Sequence, residues 1–200
     1  MNSRPVPILP MGLAFAVALI LAGGVFTIYG GGEKAVRTAL DVTARWSFLL
    51  FWTAYCGGAL TALFGPAFAP LARGRDWGLA FASAHLVHIG LIVRLGLLLN
   101  RVPLHGALLI FFALAIVFTY LLAALSFGLA DLLGPALWRA IMFLGLNYIL
   151  IAFARDFVLG AIQSEVRHRE FWRLLDYGFF AGLCIIAPLL RLSAGRSAPV

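Results

Sequence analysis

Two of the four histidines in this 200-residue chain, His85 and His88, fall inside an unbroken apolar run from Trp77 to Leu99. A polar ring in a membrane helix turns toward the bundle interior, where it finds a partner, and is a functional-site candidate by default. Three residues apart, the two rings occupy neighbouring parts of one helical face. Neutral imidazole has two uses in such a place. It ligates haem iron, or it hydrogen-bonds to an adjacent helix. Both readings fit the residues.

The other candidates have plainer roles. His105 opens an apolar run and His168 lies in the most charged connection, so both meet water or headgroups. Arg94 stands near a helix end and can snorkel. Arg155-Asp156 reads as an ion pair ending a span, and Asp131 as a cap in a short loop. Thr119, Tyr120, Asn147 and Tyr148 suit bonds between helices. Cys56 and Cys184 lie in different apolar runs and read as packing residues, since a disulfide or metal site needs closer or more numerous ligands. The sequence holds no catalytic triad, P-loop, dinucleotide fingerprint or zinc spacing. Its spans carry no central charge, which argues against a proton-relay pump or ion-coupled transporter.

The elements that must hold these residues follow from composition. The chain is 63% hydrophobic and only 12% charged, with a mean hydropathy of +1.01. Soluble domains are nearer half apolar and a quarter charged, so the solvent of this chain is mostly lipid. The net charge of +7 comes mainly from arginines at the ends of apolar runs, where they anchor helices, and it does not indicate nucleic acid. Six runs are each long enough to cross the bilayer: 8–29, 46–64, 77–99, 105–127, 136–157 and 174–190. Their continuous apolarity predicts helices and not the alternating strands of a barrel. The expected fold is therefore all-α, a polytopic membrane protein forming one domain, a bundle of six transmembrane helices. The first run is long for a signal peptide and reads as a retained span.

Two connections are long. Gly31 to Arg45 mixes both signs of charge, and Gln163 to Arg173 has room for a short interfacial helix. Gly178 and Gly182, four apart in the sixth run, would permit close helix approach. Counted by face, six basic residues lie with the termini (Arg4, Arg73, Arg75, Arg139, Arg191, Arg196). Nine lie opposite, at Lys34, Arg37, Arg45, Arg94, Arg101, Arg155, Arg167, Arg169 and Arg173. That count leans toward termini outside.

Three stretches between Trp46 and Tyr148 carry a family resemblance. Gly57-Gly58 and Gly65-Pro66 precede the basic turn Arg73-Gly74-Arg75. The third run opens with Trp77-Gly78-Leu79-Ala80-Phe81, and His88 follows Gly78 by ten residues. Ser126 to Met142 reads SFGLADLLGPALWRAIM. Together these resemble the ferric reductase-like transmembrane domain family, nearest the haem-binding membrane subunit of bacterial methionine sulfoxide reductase systems. The resemblance implies a six-helix bundle in the bacterial inner membrane, haem b as cofactor, and His88 as a third-helix ligand. It also implies that Arg73, Arg75 and Arg139 face the cytoplasm, with both termini inside. The chain departs from the pattern in helix five, where Met142 and Arg155 stand at the positions of the family's histidines.

Three arrangements follow from that departure. Met142 supplies a thioether ligand opposite a histidine, the two lying at similar depth; or His85 or His88 is one ligand, with the second from another helix or absent; or the haem is lost. The first two give a haem b electron-transfer protein. Without a flavin or nicotinamide domain, it would draw electrons from quinol or a separate reductase and pass them to a periplasmic redox partner. The third gives an accessory or assembly membrane subunit. A small-solute transporter is a further class, with no paired broken helices behind it.

Overall fold

The computed structural model describes residues 6–128, 133–166 and 171–197. Among them all regular structure is helical, and six helices are long and apolar enough to span a membrane. They are α1 (Ile8–Tyr29), α2 (Glu33–Phe64), α3 (Gly74–Leu99), α4 (Gly106–Ser126), α5 (Gly134–Val166) and α6 (Phe171–Ser197), with a 3-10 helix at Pro66–Ala72 between α2 and α3. In hydrocarbon every backbone group needs an internal partner, and a continuous helix supplies one for nearly all of them. The breaks come where side chains permit them. Gly30 and Gly65 end α1 and α2 at φ 76° and 89°, and Asn100 ends α3 in the left-handed region.

Two boundaries differ from those expected. The charged stretch after Gly31 is not a connection, because α2 already begins at Glu33. Glu33 accepts a 2.7 Å bond from Arg37 one turn on, and an acid in the first turn suits the helix dipole. Likewise α5 runs beyond 157 to Val166, so Arg155 and Asp156 do not end it. The expected interfacial helix is replaced at 163–166 by the last residues of α5, and its remainder, with His168, lies largely outside the described residues. Asp131 lies outside them too.

The helix α2 sits centrally, packed on α1, α3, α6 and the 3-10 helix. Three hydrogen bonds to α6 each span 131 positions: Arg45 to Asp176, Trp52 to the Leu183 carbonyl, and Cys56 to the Ala187 carbonyl. A constant offset means the two helices run parallel. Against α3 it runs antiparallel, Thr43 meeting His88, Phe51 meeting Phe81 and Ala54 meeting Gly78. The core between α2, α3, α5 and α6 is aromatic: Phe48 makes edge contacts with Phe153, Phe157 and Phe180 at 5.0–5.7 Å. The outer faces of α1 and α4 expose Leu9, Ile20, Ile110 and Val117, as lipid-facing surfaces do.

Close approach depends on particular glycines. A Cβ at Gly57 would lie 1.8 Å from the Leu71 carbonyl oxygen, where the 3-10 helix folds back on α2. At Gly160 it would lie 2.4 Å from the Tyr177 ring. Gly178 and Gly182, by contrast, face open space, so the expected pair makes no close crossing inside this chain.

Candidate functional site: a histidine pair in the α2–α3 seam

His85 and His88 are brought together as their spacing predicts. Their rings stack at 5.1 Å between centroids and 16° between planes. His88 is tied to α2, its Nδ1 lying 3.1 Å from the Thr43 hydroxyl. That hydroxyl has one proton, and the Ala39 carbonyl is its nearest acceptor at 2.8 Å. The ring also hydrogen-bonds the Leu40 backbone of α2, and the tautomer sets which partner of the Thr43–His88 contact donates.

His85 is wedged among aromatic rings, Phe81 at 5.3 Å and Phe153 of α5 at 6.4 Å. Its Nδ1 is buried with no hydrogen-bond partner, and so is the Oγ of Ser47 on α2. The hydroxyl at Ser47 belongs to a residue with no exposed surface. Orphaned polar atoms of this kind are rare in folded chains.

Met142 is elsewhere. It precedes Phe153, the α5 ring that meets His85, by eleven residues, about 16 Å of helix. It lines a cavity of about 550 Å³ together with Phe51, Phe81, Leu122, Trp138 and Leu146. His85 and His88 are not among the lining residues. Phe81, whose ring lies 5.3 Å from that of His85, borders the cavity with Met142, while neither histidine does. Arg155, at the second helix-five position, lies over the Phe112 ring at 5.4 Å.

Axial ligands approach a haem iron from opposite faces of the macrocycle. Two rings stacked side by side on one helix cannot bracket an iron, and Phe81 and Phe153 occupy the space beside His85. The cavity offers a thioether with no imidazole across from it. The stacked His85–His88 pair is thus not placed to hold one iron from two sides. Among the described residues no group of three or more His, Cys, Asp or Glu converges as a metal site.

Several polar residues act as helix glue, as expected. Tyr55 donates to Asn147 Oδ1 at 2.9 Å, Tyr120 to the Ala82 carbonyl at 3.2 Å and Tyr148 to the Phe111 carbonyl at 3.1 Å. Thr119 bonds within its own helix. Arg94 reaches the Gly31 carbonyl and covers the Phe26 ring, while His105 stands exposed at the start of α4. Cys56 and Cys184 are free and buried. Sequence reasoning missed Thr43, Ser47 and the Arg45–Asp176 pair. Thr43 and Arg45 fall before the expected start of the second span, so neither was read as part of a helix.

The fold defines an integral membrane protein of six spanning helices. No protein-family model, curated protein or solved structure matches the chain.

Proposed function

We propose that this protein is a haem-free relative of the ferric reductase-like bundle, acting as an accessory or assembly subunit in the bacterial inner membrane. The observation that carries this reading is that the cavity bordered by Met142 is lined by neither His85 nor His88. It agrees with the sequence, in which neither helix-five position of the family pattern holds a histidine. A bundle that keeps its packing but not its ligand geometry retains the means to hold a partner in the membrane.

The second reading is a haem b electron-transfer protein fed by quinol or a separate reductase and discharging to a periplasmic partner. The ten-residue spacing from Gly78 to His88 favours it. One measurement separates the two. The protein is expressed with ample haem supply, purified in detergent, and examined by reduced-minus-oxidised visible spectra and a haem assay. The proposal expects no stoichiometric haem. Stoichiometric haem that disappears in His85→Ala or His88→Ala would overturn it and establish the electron-transfer reading.

A further inference from the structure

We propose that the α2–α3 seam binds a single water molecule between Ser47 Oγ and His85 Nδ1. The inference starts from a repeat in the packing. Thr43 and Ser47 are four apart on α2, one turn along one face, and His88 and His85 are three apart on α3. Because these helices run antiparallel, stepping from Thr43 to Ser47 moves the same way along the bundle axis as stepping from His88 to His85. Ser47 and His85 therefore stand at one level of the seam, as Thr43 and His88 do one turn away.

The first rung closes directly at 3.1 Å. The second does not, because Ser47 Oγ and His85 Nδ1 are both buried and both unpartnered. Two orphans at one level on facing helices leave two polar costs in a segment otherwise lined by Phe48, Phe51 and Phe81. One water answers both, accepting from one group and donating to the other. The occupant is a water and not a metal ion, since the two donors here are one hydroxyl and one imidazole, with no thiolate or carboxylate on either helix face. The seam is then a two-rung ladder, dry at Thr43–His88 and hydrated at Ser47–His85.

Solid-state NMR on histidine-¹⁵N-labelled protein in bilayers tests this. Magnetisation transferred from water should build up several-fold faster at His85 Nδ1 than at His88 Nδ1, with the two rings assigned from His85→Gln and His88→Gln. Ser47→Thr adds the methyl that shapes the first rung, so a direct hydroxyl–imidazole bond should replace the water and abolish the fast build-up. Ser47→Val removes the hydroxyl and fills the space, with the same loss. Equally slow build-up at both rings in the unsubstituted protein overturns the proposal. So does fast build-up at His85 that survives both substitutions. The native comparison stands by itself if a variant fails to fold.

Discussion

His88 meets α2 at the Thr43 hydroxyl and at the Leu40 backbone, and removal of the first contact has a calculable consequence. Thr43→Val keeps the shape and β-branching of the side chain but takes away the oxygen that faces His88 Nδ1. The Leu40 backbone still bonds the ring, so the loss is that of one hydrogen bond, about 0.5–1.5 kcal/mol. For a domain of this size that corresponds to a melting temperature lower by a few degrees, at roughly 2–4 °C per kcal/mol. Thr43→Ser keeps the oxygen and should melt close to the unsubstituted protein in the same detergent. Equal melting of the valine and serine variants would show that the contact contributes nothing. The histidines were legible in the sequence because a ring nitrogen is conspicuous against an apolar run. Their partners were not. Threonine and serine are ordinary in membrane helices, where they bond the carbonyl one turn back, as Thr53 does to Leu49, and nothing in their spacing announces an interhelical role. The pairing of His85 with His88 was readable from three-residue spacing alone. Their distance from Met142 was not, because depth counted from an uncertain helix start carries no information about which α5 residue a given α3 residue faces.

The return from α2 into α3 depends on one backbone position. The 3-10 helix folds onto α2 so tightly that the Leu71 carbonyl fills the place a Gly57 side chain would take. Thr61 and Trp77 fix it further, bonding the carbonyls of Phe68 and Pro70 at 2.9 and 3.2 Å. The obstacle is backbone, not the end of a flexible side chain, so Gly57→Ala must displace the segment. Overpacking of this sort costs about 1–3 kcal/mol. Gly58→Ala meets nothing within 4 Å, and as the better helix former it should be neutral or slightly stabilising. Thermal melting of the two adjacent variants, with limited proteolysis of residues 65–73, checks the contrast. Parallel packing of α2 on α6 has its own test. Arg45 holds Asp176 through two nitrogens and lies 4.9 Å from the Tyr177 ring centroid. Its side chain is 18% exposed and that of Asp176 40%, so solvent screens the pair. A double-mutant cycle with Arg45→Met and Asp176→Asn should return a coupling of about 1 kcal/mol or less. The existence of the six helices was legible from apolar run length, since lipid leaves the backbone few alternatives. Their ends were not legible at α2 and α5, where charged residues continue a helix past the apolar region. The sequence also pointed to Gly178 and Gly182 as a close crossing. Contact geometry puts close approaches at Gly57, Gly145 and Gly160, because a small residue permits approach only where another helix arrives.

Six spans oblige both termini, the 3-10 helix and the α4–α5 connection to share one face of the membrane, with the α1–α2 and α3–α4 turns on the other. Which face is cytoplasmic depends on how the basic residues are counted. The sequence tally favoured the turn side by nine to six. It treated Arg45 and Arg155 as loop charges, whereas the structure places Arg45 twelve residues into α2 and Arg155 eleven before the end of α5. The positive-inside rule concerns short loops and the ends of spans. Both helices continue past their apolar regions, so the two arginines still flank the spans, and the nine-to-six tally opposes the orientation that the family resemblance implies. On the resemblance we expect Arg73 on the cytoplasmic side and Arg101 on the outer side. Arg73 is 72% exposed at the side chain and Arg101 is exposed, so cysteine at either position should cost little stability. Both native cysteines are buried, which keeps background labelling low. In intact cells a membrane-impermeant maleimide should label Arg101→Cys at once and reach Arg73→Cys only after permeabilisation. The opposite pattern would put the termini outside and remove the family-based orientation. Labelling of both from one side would contradict α3 as a span, and with it the six-span bundle on which the placement of the histidine seam depends.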